Sequence, residues 1–519
     1  MKLTRLLIPI VLGTTLTLLF VLGIAGAESP LGANTRYVSP TGTDAGACAV
    51  STAPCLTVQY AVDMAGSGDR IHVAAGTYTG VLTRSAPAGY SGPSVVTQTL
   101  HLNKSLTVQG GYSADFSAQD PDVYITTLDA QGSGRVLFIA GAIAPAIKDL
   151  HLVNGDADGL GGHPLLSNNA GGGVYVITAT ATLDNLHVMS NTVPAGYGGG
   201  VILIHSPSTL SQSVIQGNVV GIFKGGGVYL YESDALVMDN LILQNDANNS
   251  GGLHAYQSSF TLSGTVVQEN AAFGSGAGIG IENSGYPFYQ PILTGNLILS
   301  NTLAQVGPIG GSQGGGLHLF FSDPLMNGNV IQGNVGDYGG GVYADNSVPE
   351  STNDVVLGNQ VWQAGSGVYL LGSQAVFTHT TLSSNFGAEG SGLYLKTSTD
   401  FGNVDSTAAI TNAIVVSHSV GITASASNTA TVNGVLWFGN SGGDTASAGS
   451  FVVSNAVTGD PAFDVDGYHL TASSMALDQG VNSGLAFDID GDARPLDLLY
   501  DLGADEFSLF KLFLPLVQR

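Results

Sequence analysis

The sequence contains few charged residues, and few of these are basic. Only 10% of its 519 residues are charged, and 13 Lys and Arg stand against 38 Asp and Glu, which gives a formal net charge of -25. An acidic chain is repelled by phosphate backbones and by anionic membrane surfaces. We therefore expect no nucleic-acid partner.

Long apolar runs are also missing, except at the start of the chain. Lys2 and Arg5 precede an apolar stretch over residues 6–24, and Ala-Gly-Ala follows at 25–27. A basic start, an apolar run and a small-residue cleavage site are typical of a secretory signal peptide. We expect residues 1–27 to be removed and the mature chain to have no membrane span. An uncleaved membrane anchor is the alternative.

Cysteine is almost absent. The two that occur, Cys48 and Cys55, lie seven residues apart in GACAVSTAPC. In an exported chain such a pair is expected to form a disulfide that closes a small loop. Two free thiols are the alternative.

Glycine is abundant, with 74 residues, and much of it is periodic. Nine times a small-residue turn precedes an apolar-x-apolar triplet, as in GGGVYV and GSGLYL, at a spacing near 26 residues. This period, rich in Gly and β-branched residues, predicts the stacked coils of a β-solenoid. The last glycines of the turns are Gly173, Gly200, Gly227, Gly252, Gly278, Gly316, Gly341, Gly367 and Gly392.

An asparagine follows each of the first eight turns at a nearly constant distance. From Gly to Asn there are 18 residues in seven coils and 23 in the coil of Gly278, where ENSGYPFYQP is inserted. Asn tolerates left-handed backbone and bonds to neighbouring turns, so we expect a structural ladder. Its members are Asn191, Asn218, Asn245, Asn270, Asn301, Asn334, Asn359 and Asn385.

Each triplet predicts a strand with two residues inside the solenoid and one outside. The first and third positions are apolar in all nine coils, so alternation sends both into the core and the middle residue outward. Seven of the nine middle residues are aromatic or histidine. These seven, the ring stripe, are Tyr175, Tyr229, His254, His318, Tyr343, Tyr369 and Tyr394.

With these repeats, the chain resembles the pectin-lyase-like right-handed parallel β-helix proteins, and among them secreted proteins with a choice-of-anchor Q region. The segment YVSPTGTDAGACAVSTAPCLTVQYAVDMAGSGDRIHVAAGTYTG is similar to the family's N-terminal cap, with a short helix near residues 57–65. LTVQGGYSADFSAQDPDVYITTLDAQGSGRVLFIAG is similar to its first coils, and DPAFDVDGYHLTASSMALDQGVNSGLAFDIDGDARPLDLLYDLGADEF to its C-terminal region. The resemblance implies an all-β fold with a cap and first coils at 28–125, repeats at 126–455, a C-terminal region at 456–507 and an apolar tail at 508–519.

The resemblance does not extend to the residues that make enzymes of this fold catalytic. Lyases of the fold need a basic residue, and between residues 171 and 440 only Lys224 and Lys396 are basic. Both adjoin turns, which favours solvated surface positions. The Asp-Asp, Gly-His-Gly and Arg-x-Lys signatures of the hydrolases are absent. A carboxylate pair assembled from separate coils stays open, with these candidates: Glu232, Asp234, Glu269 and Glu282.

Two binding sites are predicted. The ring stripe, if exposed, forms a platform for an extended polymer such as a glycan, because flat rings stack on the apolar faces of sugars. The alternative is that these rings stack on one another and stabilise the strands. In FDIDGDARPLD, Asp488, Asp490 and Asp492 alternate around Gly491 and are candidates for Ca2+, against a turn in which the carboxylates cap backbone N–H groups.

From the sequence alone we expect a secreted or cell-surface protein without a catalytic constellation. It is expected to bind extracellular polysaccharide or another surface polymer, or to act as an adhesin-like spacer. A divergent polysaccharide lyase or glycoside hydrolase is the alternative. The sequence leaves the oligomeric state open.

Overall fold

The computed structural model describes residues 33–304, 311–446 and 448–507. The predicted signal peptide 1–27 and the apolar tail 508–519 lie outside the described residues, as do residues 305–310. From Asn34 onward the chain belongs to one compact unit. The boundaries predicted at residues 125 and 455 stay predictions.

Successive coils pair strand on strand in register. Val174 pairs with Val201, Val201 with Val228, and Val228 with Leu253, and the later triplets continue this row. Every pair of named strands is parallel except Leu82–Ser85 with Val95–Leu102. The predicted parallel β-helix is therefore confirmed, with the glycine turns stacked one above another.

The strands form four sheets, which we call A to D. Sheet A has 24 strands, and most repeat coils contribute two consecutive short ones. Its strands are Thr35–Val38, Arg70–Ala74, Gly76–Thr79, Thr107–Tyr112, Thr126–Asp129, Ala146–Val153, Thr182–Met189, Thr209–Ser211, Val214–Gln216, Leu236–Met238, Leu241–Leu243, Thr261–Ser263, Val266–Gln268, Ile292–Thr294, Leu297–Leu299, Leu325–Asn327, Val330–Gln332, Glu350–Thr352, Val355–Leu357, Gln374–Thr378, Thr381–Ser383, Thr407–Val416, Thr429–Phe438 and Ser450–Thr458.

Sheet B contains the apolar-x-apolar triplets, and sheets C and D contain shorter strands. The 14 strands of sheet B are Leu82–Ser85, Val95–Leu102, Arg135–Ala140, Val174–Ile177, Val201–Ile204, Val228–Tyr231, Leu253–Tyr256, Ile279–Glu282, Leu317–Phe320, Val342–Asp345, Val368–Leu371, Ser391–Lys396, Val420–Ala424 and Thr445–Ala446. The eight of sheet C are Thr192–Val193, Val219–Val220, Asp246–Ala247, Ala271–Ala272, Thr302–Leu303, Val335–Tyr338, Gln360–Ala364 and Phe386–Gly387. Sheet D comprises Asn169–Ala170, Gly196–Tyr197 and Phe223–Lys224.

The first and third residues of each triplet line one continuous core. Val228 and Leu230 are fully buried, as are Leu317 and Leu319, and all belong to the same apolar cluster. Removal of these side chains from water is the main force that holds coil on coil.

The helix Val58–Met64 closes the N-terminal end of this core. Its first turn is capped by the Thr57 side chain, which accepts a hydrogen bond from the Tyr60 N–H. Val58, Ala61 and Val62 are buried in the core cluster. The short capping helix expected near residues 57–65 is thus present. Among the described residues no helix is long and apolar enough to cross a membrane.

The structure places the eight asparagines in one buried ladder. From Asn218 onward, each side-chain Oδ1 accepts bonds from the backbone N–H and the Nδ2 of the Asn one coil before, as from Asn245 to Asn270 at 2.9 and 3.0 Å. The Oδ1 of Asn191, the first member, accepts the Gly155 N–H at 2.7 Å. Each Nδ2 also donates to a core carbonyl, as from Asn270 to Ile242 at 2.9 Å. The ladder supplies partners for backbone groups that a buried corner would otherwise leave unpaired.

A serine ladder occupies a second corner, between sheets B and A. A backbone N–H of each coil donates to the Ser Oγ of the next, as from Ser258 to Ser284 at 3.1 Å. Its members are Ser206, Ser233, Ser258, Ser284, Ser322, Ser347, Ser373 and Ser406.

The C-terminal region folds back on the outer face of sheet A. Leu470, Ala476 and Leu502 pack against Ile414 and Leu436 in an apolar cluster. At the N-terminal end, Cys48 and Cys55 are joined in a disulfide.

Candidate functional site

The ring stripe runs along the outer side of sheet B, but it is not exposed. Its neighbours stack face to face, with ring centroids 5.2 Å apart between Tyr343 and Tyr369 and again between Tyr369 and Tyr394. Six of the seven residues are buried, with Tyr394 half-buried. The expected exposure of Tyr175, Tyr229, His254, His318, Tyr343 and Tyr369 is therefore wrong.

In several coils the stripe is covered by the segment that precedes the glycine turn. Tyr197 and Phe223, from sheet D, belong to the same apolar cluster as Tyr175 and Tyr229. Farther along, Tyr338 lies edge-on to Tyr369 at 5.3 Å. The stripe therefore forms part of a second, outer core. This favours the alternative that the rings stack on one another and stabilise the strands.

An ion pair lies beside the stripe where two coils approach. Lys224 Nζ bonds both carboxylate oxygens of Glu282, and both side chains are largely buried. Glu282 Oε2 is 3.8 Å from His254 Nε2, and His254 Nδ1 is 2.8 Å from Ser250 Oγ. Burial, and then the charge of Lys224, lower the pKa of His254 well below its usual value. The cluster therefore combines a neutral imidazole with a neutralised Lys-Glu pair.

A glycine makes room for this cluster. Gly280 occupies the middle position of its triplet, in register with His254 on one side and His318 on the other. A Cβ at this position would lie 2.1 Å from Ser250 Oγ. Burial lowers the pKa of His318 to about 3, so this imidazole is neutral as well.

Exposed rings occur one row away from the stripe, at the end of the sheet B strands. Tyr256, Glu282 and Phe320 pair in register in successive coils, and both rings are half-exposed. Phe321 contacts Phe320 at 4.7 Å and Phe401 at 5.0 Å between ring centroids. The inserted loop after Glu282 adds three more rings. We call this set the aromatic ridge: Tyr256, Tyr286, Phe288, Tyr289, Phe320, Phe321 and Phe401.

The inserted loop is fixed to its neighbours. The Tyr286 N–H donates to Asp323 Oδ2 at 3.0 Å, and the Gln290 N–H donates to Ser259 Oγ at 3.1 Å. Tyr286 and Phe288 are 74% and 83% exposed. Large exposed rings grouped on an ordered backbone are candidates for an interaction site.

The surroundings of the ridge are acidic. Glu232, Asp234 and Asp323 lie on the turns beside it. Of the two lysines near it, Lys224 is paired with Glu282, and Lys396, five residues before Phe401, is exposed. Desolvation raises the pKa of Tyr289, with Glu232 and Asp234 adding to it. Such a surface repels anionic ligands and suits neutral ones.

The candidate carboxylates have different partners. Glu232 approaches His205 Nδ1 at 3.4 Å, while Glu269 accepts hydrogen bonds from Gln244 and Gln268 near sheet A. Glu282 is engaged by Lys224. Both lysines were expected at solvated surface positions. The side chain of Lys396 is exposed, as expected, whereas that of Lys224 is largely buried and paired with Glu282.

The three aspartates around Gly491 have different surroundings. Asp488 is buried, and its Oδ1 accepts bonds from the N–H groups of Asp490 and Asp492 at 2.9 and 2.7 Å. Its Oδ2 accepts from the Glu506 N–H at 2.9 Å. Asp490 points instead to His469. Among the described residues no potential metal-binding group contains Asp488 or Asp492. This geometry favours the capped turn.

No family model matches the chain, and no curated protein sequence matches it. Among solved structures, it is similar to a pectate lyase Pel9A at 12% identity and a TM-score of 0.36, over 91% of this chain and 96% of that one. A rhamnogalacturonan lyase follows at 11% and 0.36, over 73% and 82%. The A-module of the Azotobacter vinelandii mannuronan C-5 epimerase AlgE6 is 14% identical with a TM-score of 0.32, over 78% and 94%. At such low identities and TM-scores the likeness does not extend to activity.

Proposed function

We propose that this chain is an exported, surface-associated β-helix protein that binds a neutral polysaccharide along the aromatic ridge without cleaving it. The observation that carries the proposal is the row of exposed rings at the edge of sheet B. Rings of this kind stack on the apolar faces of sugars and keep their polar tips in water. The rings of Tyr256 and Phe320 lie two coils apart, about 10 Å at one strand spacing per coil, which suits an extended ligand.

The negative charge of the protein favours one class of polymer. The chain has a net charge of -25, and the turns beside the ridge contribute to it. A polyuronate would meet like charge, whereas a glucan, mannan or other neutral chain would not. The ligand class is therefore neutral polysaccharide.

Export is supported by the residues outside the repeats. Residues 1–27 have the pattern of a signal peptide, and the disulfide Cys48–Cys55 is of a kind that persists in oxidising compartments. The choice-of-anchor Q region predicted at 456–507 stays a prediction. It is the part that we assign to surface association.

The test is affinity gel electrophoresis against neutral and acidic polysaccharides. The wild-type protein should be retained by at least one neutral polymer and by no polyuronate. Replacing Tyr286, Phe288 and Phe401 together by Ser should weaken retention at least tenfold, about 1.4 kcal/mol. The matched control replaces Trp362 and Phe386 by Ser. These rings are 45% and 51% exposed on sheet C, and their loss should change nothing. Undiminished retention of the triple variant would refute the proposal that the polysaccharide binds along the aromatic ridge.

A divergent polysaccharide lyase or glycoside hydrolase is the second candidate, favoured by the cluster of Lys224, His254 and Glu282. In the described part of the chain His254 Nε2 has no hydrogen-bond partner, which suits an acid–base group. However, His254 is 1% exposed, so a substrate reaches it only if the side chains that cover it move away. New reducing ends or absorbance from unsaturated products, lost in His254→Ala, would support this candidate over binding alone.

A further inference from the structure

Three side chains of the C-terminal region converge at one point on its surface. His469, Asp490 and Asp505 each offer one nitrogen or carboxylate oxygen, and these atoms lie within 4.8 Å of one another. They come from three separate turns, and His469 Nε2 is already 2.9 Å from Asp490 Oδ2. Ligand atoms around a tetrahedral ion lie about 3.3 Å apart when each bond is about 2.0 Å. Small side-chain movements would therefore suffice to enclose an ion.

A third carboxylate orients the imidazole. Asp466 Oδ2 bonds His469 Nδ1, on the side of the ring opposite to Asp490. Asp466 is itself fixed, because its Oδ1 accepts the N–H groups of Tyr468 and His469 at 3.2 Å each. A carboxylate on one ring nitrogen leaves the other directed at the metal, as in carboxylate–histidine–metal triads. Asp466 is thus a positioning residue.

The carboxylate of Asp505 is buried and only partly hydrogen-bonded. Its carboxylate is 3% exposed, and Oδ2 accepts the Leu470 N–H at 2.7 Å. Within the described ranges its Oδ1 has no hydrogen-bond partner. A buried carboxylate oxygen without a partner is costly, and an ion in this cluster would supply the missing interaction.

We propose that His469, Asp490 and Asp505 bind one divalent transition-metal ion of the Zn2+ class. One imidazole and two carboxylates are ligands that zinc accepts, with a fourth position left for water. Ca2+ is disfavoured, because it takes oxygen ligands in larger number and imidazole is not among them. This site differs from the predicted Ca2+ site, with which it shares Asp490 alone.

The ion would join three segments that also meet through hydrogen bonds, such as that from the Leu470 N–H to Asp505. His469 ends a turn closed by the pairing of Phe463 with Leu470, and Asp490 lies in the turn closed by Phe487 with Ala493. Asp505 follows Ala504, whose carbonyl accepts the Ile489 N–H at 3.1 Å. Metal bound by all three would stabilise the C-terminal region where it packs on sheet A.

The test is isothermal titration of the mature protein, free of any histidine tag, with Zn2+ and separately with Ca2+. We expect one equivalent of Zn2+ to bind and to raise the melting temperature, and Ca2+ not to compete. His469→Ala and Asp505→Asn should each abolish the Zn2+ heat and the thermal shift. Asp466→Asn should weaken affinity by about 10- to 100-fold, since an orienting partner is lost.

The matched control is His205→Ala. His205 faces Glu232 in an exposed His-carboxylate pair at 3.4 Å that belongs to no potential metal-binding group among the described residues. Its loss should leave Zn2+ binding unchanged. Circular dichroism of each variant shows whether the fold is kept, and Asp490→Asn supplies a further ligand variant. Absence of Zn2+ binding, binding unaffected by all ligand variants, or tighter binding of Ca2+ than of Zn2+ would overturn the proposal.

Discussion

Replacing Asn270 by Ala removes one rung from the middle of the asparagine ladder. The change leaves three buried groups without their partner: the N–H and one Nδ2 hydrogen of Asn245, and the carbonyl of Ile242. Asn301 keeps its bond from the Asn270 N–H at 3.0 Å. Each orphaned group costs about 1–3 kcal/mol. Water that enters the vacated volume offsets part of this cost. We expect a net loss of about 2–4 kcal/mol in the free energy of unfolding.

The assay is equilibrium unfolding in urea, followed by circular dichroism. The midpoint should fall while the slope stays the same, because the folded architecture is kept. Asn327→Ala is the control, since Asn327 is exposed at the end of a sheet A strand, and a change there should stay within about 0.5 kcal/mol. Equal, small effects of the two substitutions would refute the reasoning that the ladder stabilises the coils.

Two further predictions concern buried charges. Asp354 is fully buried between the sheet A strands Glu350–Thr352 and Val355–Leu357, and burial raises the pKa of its carboxyl to about 6. The protonated carboxyl contributes fully to stability below the pKa that it has in the unfolded chain, and this contribution is lost as the pH rises through 6. Asp354→Asn should therefore leave the urea midpoint unchanged at pH 4 and stabilise the protein by about 2–3 kcal/mol at pH 8; no gain at pH 8 would contradict this. Arg494→Ala should cost about 3–5 kcal/mol in thermal or urea unfolding, because it leaves Glu506, bonded at 2.7 Å, as a buried unpaired charge. The exposed pair of Arg84 and Asp63 is the control, with an expected loss below about 1 kcal/mol for Arg84→Ala.

The repeat architecture could be predicted because each coil repeats the same short pattern. The glycines, the apolar triplets and the asparagines recur at nearly fixed spacing, and stacking converts that spacing directly into register. The serine ladder was missed, although its signal is present. A Ser follows the first apolar residue of the triplet by five positions in eight of the nine coils, as from Val228 to Ser233.

Burial of the ring stripe could not be predicted in the same way. Alternation within a strand shows that Tyr229 and Tyr369 point away from the inner core, but not whether a loop covers them. The covering loops vary in length and sequence from coil to coil, so no periodic signal describes them. Pairing of Lys224 with Glu282, 58 residues apart, depends on those loops as well.

The sequence did not predict the cluster of His469, Asp490 and Asp505, for a related reason. It lies in the C-terminal region, where no repeat relates one turn to the next. Sequence spacing pointed to the alternating aspartates around Gly491, because carboxylates at alternate positions are a familiar calcium pattern. In the structure Asp488 caps backbone N–H groups, while Asp490 turns towards a histidine 21 residues earlier.

Hydroxyl-radical footprinting of the wild-type protein, with and without the neutral polysaccharide that retains it, tests the central claim most directly. Labelling of Tyr286, Phe288 and Phe401 should fall several-fold when the polymer is bound, while labelling of Trp362 and Phe386 on sheet C stays constant. Protection of Trp362 and Phe386, with none along the aromatic ridge, would contradict the account.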